Sequence, residues 1–502
     1  MCASCHSTNL EKNYDIESDT YKTTYSAINV SCESCHGAGK LHIDYIKSKD
    51  YETGDTIPGS FLKLGKNGDQ LSQINACAPC HALNSKISAD AIESGDIMDN
   101  YIPAIPDTEF FYADGQQNGE DYIYSSFLQS KMFRRGVKCS NCHNPHTGKL
   151  LLMANQTCLQ CHAKTFDDPS HTFHPIGSTG AECKNCHMPG KLYLGNDLRY
   201  DHSFRVPRPD LSVQYQTPNA CNNCHKDKSA KWASEAVLKW YGPVRKYHFA
   251  EDLIPGSKLD GQSEAHLIKL IGDTSVPDII KATAAKYLGN FLTQTSLTSL
   301  LQSLSSSDAQ IRYRALQSFE NFPPETWLTT VGPLLSDKVR AVRIAAAELF
   351  INLPAQQIPD QLLNAFTSSR NEMQSYVSYQ ADFAVGNLQI ADYYLKLKDY
   401  YNAEKFYSRA LKKDSMMNYA RLNLSTAYNA EGKNEKALEV LLNAAAVDPK
   451  NERIFFNLAL LYNEMNNKAA TEKYFKKAIE LKSPNPSRNL GNENESPLRL
   501  HS

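Results

Sequence analysis

The chain has no run of 18 or more apolar residues, so no segment of it reads as a membrane-spanning helix. It has no basic tract, and its 53 Lys and Arg are balanced by 55 Asp and Glu for a formal net charge of -2, so nothing in the composition argues for nucleic acid. No signal peptide precedes Met1. No cysteine occurs after residue 224 of 502, and none stands alone. All 14 fall into Cys-x-x-Cys pairs: Cys2/Cys5, Cys32/Cys35, Cys77/Cys80, Cys139/Cys142, Cys158/Cys161, Cys183/Cys186 and Cys221/Cys224. The length suggests two to four domains, and the cysteines divide it into a cysteine-bearing half and a cysteine-free half.

In all seven pairs the next residue is His: His6, His36, His81, His143, His162, His187 and His225. With 15 His in 502 residues, chance would put one after a given Cys about once in thirty times. Cys-x-x-Cys-His is the attachment signature of c-type haem, in which two thiols join one porphyrin and the adjacent His ligates its iron. Structural zinc leaves the seven His unexplained, and a redox dithiol or a disulfide framework fails for the same reason. The spacing therefore predicts seven covalently bound haems. Seven porphyrins in about 225 residues leave little sequence for an apolar core, so the porphyrins are expected to be the core. Their propionates would make the holoprotein more acidic than the bare chain and suit it to cationic partner surfaces. Haem is attached to this motif outside the cytoplasm, so residence is expected to be periplasmic or extracellular, with the upstream part of the chain lost by processing or missing from the sequence.

Each iron needs a ligand on its second face, and a second His gives a six-coordinate iron suited to electron transfer. Five His of the haem-bearing half lie outside the motifs: His42, His146, His171, His174 and His202. They are the candidate distal ligands. His42 and His146 stand too close behind His36 and His143 to fold back over their own porphyrin, so each is expected to serve a neighbouring one. His248, His266 and His501 are weaker candidates, as are Met132 and Met188, for which packing is the plainer role. No catalytic residue stands out.

The cysteine-free half carries two repeats. Ile280, Ile311 and Val342 recur with a period of 31, each followed by Ala284, Ala315 or Ala346 and then Leu288, Phe319 or Phe350. This resembles HEAT-type helical hairpins. A period of 34 then relates Ile390, Tyr394, Ala403, Tyr407 and Ala410 to Leu424, Tyr428, Ala437, Leu441 and Ala444, and to Leu458, Tyr462, Thr471, Phe475 and Ala478, which is the tetratricopeptide pattern. Thr471 departs from the usual Ala. The expected fold is mainly α, a loop-rich multihaem cytochrome domain at 1–245 followed by an α-solenoid of HEAT-like repeats at 246–372 and tetratricopeptide repeats at 373–482. A polar, disordered tail is expected at 483–502.

The runs MCASCHSTNLEKNYD, INVSCESCHGAGKLH, SSFLQSKMFRRGVKCSNCHNPHT, CKNCHMPG, DHSFRVPRPDLS and TPNACNNCHKDKSAKWA resemble secreted multihaem cytochromes with C-terminal tetratricopeptide repeats. Their haem part is similar to the superfamily of octahaem tetrathionate reductase, hydroxylamine oxidoreductase and pentahaem nitrite reductase. The resemblance implies a further haem-binding segment upstream of Met1 that carries His residues. It departs from the nitrite reductases, whose catalytic motif ends in Lys. Seven uniform motifs therefore favour an electron carrier, with the repeats as a docking surface for redox partner proteins or for assembly into a homo-oligomer or filament. The alternative is an oxidoreductase acting on a small nitrogen or sulfur compound at one five-coordinate haem.

Overall fold

The computed structural model describes residues 2–48, 52, 69–90, 95–119, 122–193 and 195–482; the expected tail and His501 lie outside them. The fold is mainly α, with a few short strands and tetratricopeptide repeats at the C-terminal end, consistent with an α-solenoid. Two compact units are formed. The first comprises 1–11, 24–85 and 91–345, and the second 12–23, 86–90 and the chain from Ala346 onward.

In the first unit the motifs sit on helical segments, among them the short Cys2–His6, Glu33–His36, Cys183–His187 and Ala220–Cys224 and the longer Gln70–His81. The stretch 131–180, which contains two motifs, has no buried residue. It is held by local polar contacts: Asn155 donates to Asp167 Oδ1 (2.6 Å) and to Ala181 O (3.0 Å), and Asp168 caps Pro169–Thr172 by accepting from Ser170 N. A hairpin of Gly190–Tyr193 against Asp197–Tyr200 pairs Gly190 with Tyr200. The helix Ala230–Tyr241 begins at a Ser229 cap accepting from Trp232 N and stops at Gly242, whose φ of 76° is the left-handed conformation glycine adopts freely.

Beyond residue 249 the helices bury a conventional core. Ile280, Ala284, Leu288, Ile311, Ala315, Phe319, Val342, Ala346 and Phe350, the positions of the 31-residue period, are all buried. Gly289 sits against Ser318, where a Cβ would lie 2.7 Å from the serine Cβ. Arg312 forms a buried fork on Asp337 at 2.9 and 2.8 Å.

In the second unit, paired helices run from Ala384–Lys396 to Lys468–Lys482. The small positions Ala403, Ala410, Ala437 and Ala444 are buried, as are Tyr407, Tyr428 and Leu441. Tyr407 donates to Asp392 Oδ1 (2.5 Å), and Asn423 reaches the same oxygen at 2.8 Å, joining the first repeat to the second. Thr471 and Phe475 of the third repeat are only half-buried. A hairpin from between the first two motifs belongs to this unit. Its strands are Tyr14–Asp15 and Thr20–Tyr21, and Lys12 pairs with the buried Asp382 at 2.7 Å, Glu17 with Lys405 at 2.9 Å and Asp19 with Lys413 at 2.6 Å.

Candidate haem centres

The motif spacing places its three side chains by helix geometry. The N–H of the motif His donates to the C=O of the first Cys in His36→Cys32 (2.9 Å), His143→Cys139 (2.9 Å), His162→Cys158 (3.0 Å) and His225→Cys221 (2.9 Å). Residues i, i+3 and i+4 then share one face, so two thiols and one imidazole are presented together.

The imidazoles themselves form pairs. His36 faces His146 with ring centroids 6.2 Å apart, His143 faces His202 at 6.4 Å, His187 faces His171 at 6.3 Å and His225 faces His174 at 6.2 Å. Each pair combines one motif His with one of the five others predicted from sequence. The interplanar angles are 22°, 29°, 6° and 37° in the same order. A metal–imidazole bond is about 2 Å and the ring centre lies about 1 Å behind the nitrogen, so two imidazoles on opposite sides of one metal have centroids about 6 Å apart. Direct ring stacking would be closer.

Backbone carbonyls orient these rings. Nδ1 of His187 bonds Arg205 O (2.9 Å), that of His202 bonds Tyr200 O (2.8 Å) and that of His174 bonds Thr172 O (2.6 Å). A carbonyl accepts only, so the proton sits on Nδ1 and Nε2 keeps its lone pair for a ligand. Burial lowers the pKa of His202 and His187, and a carbonyl contact opposes it in each.

The remaining candidates are placed differently. His42 lies on Lys40–Ile46 with its Nδ1 buried and without a hydrogen bond. His81 is held below its usual pKa chiefly by burial. His162 stands edge-on to Phe166 at 6.2 Å. His248, whose Nδ1 accepts from Ala250 N, is pushed down to about 3 by burial and by Arg205 and Arg208. His266 pairs with Asp252 at 2.7 Å.

The thiols meet in twos across motifs. Cys5 lies against Cys80 and Cys139 against Cys77, and the neighbouring thiol lowers the pKa of Cys5 and of Cys139. Cys158 similarly contacts Cys183 and is pushed up to about 11, chiefly by burial. Among the described residues no three His, Cys, Asp or Glu side chains converge as a metal cluster would require. Sequence reasoning missed the polar residues that tie motifs together: Gln73 and Ser140, Gln160 and Asn141, Asn155 and Cys183, Thr8 and Ser34. Their signal was present in the polar residues between and beside the motif cysteines.

These features fit haem c: thiol pairs on one helical face with a His, opposed imidazoles with a metal-sized separation, and a motif-bearing stretch with no buried side chain. Comparison with known proteins agrees. Residues 131–166 match the doubled CXXCH motif, residues 1–37 match cytochrome c554 and c-prime, and tetratricopeptide repeat families match 386–414, 426–466 and 452–485. Together these support a multihaem c-type cytochrome with tetratricopeptide repeats. No curated protein matches. Among solved structures, the outer cell wall cytochrome OcwA is 14% identical with a TM-score of 0.30, covering 74% of this chain and 76% of its own. MamA is 16% identical with a TM-score of 0.23, covering 34% and 88%. Scores this low do not establish a shared overall fold.

Proposed function

We propose that the protein is an electron carrier outside the cytoplasm that binds seven haems c. Bound haem supplies one-electron chemistry, its iron cycling between ferric and ferrous. Cys2, Cys5, Cys32, Cys35, Cys77, Cys80, Cys139, Cys142, Cys158, Cys161, Cys183, Cys186, Cys221 and Cys224 would hold the porphyrins. His6, His36, His81, His143, His162, His187 and His225 would be the proximal ligands. His146, His202, His171 and His174 would be the distal ligands opposite His36, His143, His187 and His225, with His42 serving one of the remaining sites.

The observation that carries this reading is the set of four imidazole pairs at 6.2 to 6.4 Å. Imidazole on both faces leaves no coordination position for a substrate, which favours conduction over catalysis at those four sites. The tetratricopeptide helices offer a surface for a redox partner protein or for another copy of the chain.

Electron paramagnetic resonance of the oxidised protein, together with its intact mass, tests the proposal. The expected result is a mass increment of seven haems and low-spin signals, indifferent to nitrite and hydroxylamine, from at least the four sites with paired imidazoles. A high-spin signal that responds to either compound would replace the carrier by the oxidoreductase reading, and a colourless protein would overturn both. His146→Ala is expected to convert one low-spin centre to high spin while leaving the haem content at seven.

A further inference from the structure

In three of the four facing pairs one imidazole, that of His187, His202 or His174, is held at Nδ1 by a backbone carbonyl. His171, opposite His187, is held by a side chain instead. The Tyr241 hydroxyl donates to the backbone carbonyl of His171 at 2.5 Å, and its oxygen lies 3.3 Å from His171 Nδ1. The single hydroxyl proton is spent on the carbonyl, so toward the ring Tyr241 accepts. That puts the proton of His171 on Nδ1 and leaves Nε2 its lone pair, with the rings of His171 and His187 inclined by only 6°.

Tyr241 brings the order of a packed helix to a stretch that has no interior of its own. His171 sits on the short turn Pro169–Thr172, inside 131–180, where no residue is buried. The helix Ala230–Tyr241 buries Ala233 and Val237 and packs on the helix Pro209–Tyr215. Its last two residues both reach the turn. Tyr241 stands edge-on to His171 at 6.0 Å and 69°, and Trp240 stacks flat on Phe173 at 4.4 Å and 3°. Phe173 takes a φ of 54°, a left-handed conformation uncommon for a bulky side chain, at the point where the turn meets that stack. Phe166 also stands edge-on to His171, at 5.1 Å and 76°.

We propose that Tyr241 is a positioning residue of the haem site built on His187: its hydroxyl sets the ring plane and the donor strength of the distal His171, and through them the reduction potential of that one haem. This rests on the reading of the motifs as haem sites. An acceptor at Nδ1 makes an imidazole a stronger donor to its metal, which favours ferric iron. A carbonyl acceptor belongs to the backbone and stays whatever the side chain. The Tyr241 hydroxyl belongs to a side chain half exposed to water, so this site alone of the three with a fixed Nδ1 on the second ligand or on its partner's opposite face is adjustable by one substitution that leaves the main chain and both imidazoles in place.

Tyr241→Phe in the haem-loaded full chain deletes the hydroxyl and keeps the ring. In the electron paramagnetic resonance difference spectrum against the native protein, one low-spin signal should move to a larger maximal g value as the plane of His171 turns away from that of His187. In a potentiometric titration one haem should become easier to reduce. Its ferrous-to-ferric ratio at a fixed potential should rise severalfold but by less than about tenfold, which is ~59 mV for one electron, because water takes up part of the lost bond. Haem content, read from the intact mass, should equal that of the native protein. Superimposable spectra and titrations, or a variant one haem short, would overturn the positioning role while leaving the haem reading intact. A native protein without haem would overturn that reading itself.

Discussion

The stretch 131–180 and the helices of 278–350 are built on opposite terms. The first has no buried residue and carries two Cys-x-x-Cys-His motifs. The second buries an aliphatic or aromatic side chain and an alanine at every step of its 31-residue period. One is shaped by packing among its own side chains. The other gets its shape from short caps, turns and cross-motif hydrogen bonds, each contributing about 1 kcal/mol, and it relies on a covalently held group for an interior. Loss of that group should therefore affect the two stretches very differently.

The largest expected effect comes from withholding haem attachment. In the full chain made without it, limited proteolysis should cut within 131–180 while the helices beyond residue 249 resist and keep their circular dichroism. Equal resistance of both stretches would remove the distinction. The converse test is Phe319→Ala, which deletes a fully buried ring. It should cost about 3–5 kcal/mol in a urea melt while leaving haem content unchanged.

Next in size is Lys12→Met, which strands Asp382, a carboxylate with a 3% exposed side chain. Removing one partner of a fully buried pair costs about 3–5 kcal/mol, and because Lys12 keeps some contact with water the expected loss is about 2–3 kcal/mol. Lys405→Ala, at the exposed pair with Glu17, should change the urea midpoint by less than the error of measurement.

The smallest effect is one of pH. Hydrogen bonds from Lys413 and Tyr14 hold Asp19 at about 2, below the ordinary carboxylate value. A depressed pKa contributes stability that is present above the unfolded value and is lost as pH falls toward 2. The stability of the native chain should therefore fall more steeply than that of Asp19→Asn over that acid range, and the two curves should converge at its lower end.

Much of this was legible in the sequence. The fourteen thiols and seven motif histidines follow from a local spacing, and a helical turn realises that spacing without help from the rest of the chain. The periods of 31 and 34 fixed which face of each helix is buried, because a repeat packs the same face at every step. The extra histidines His146, His171, His174 and His202 could be named as well. Which motif His each would oppose could not, because His143 faces His202 and His36 faces His146 across long sequence separations that no local pattern encodes. The destination of the hairpin at 12–23 was hidden for the same reason. Its residues read as an ordinary polar loop, and only the carboxylate of Asp382 and the lysines at 405 and 413 explain its charges.

That hairpin sets an order of events during biogenesis. Lys12 and Asp382 are 370 residues apart, so the N-terminal loop has no seat until nearly the whole polypeptide has been made and its C-terminal helices have begun to stack. The docking of this hairpin therefore waits on the helices around residues 382–413, while the two motifs that flank it belong to the other unit.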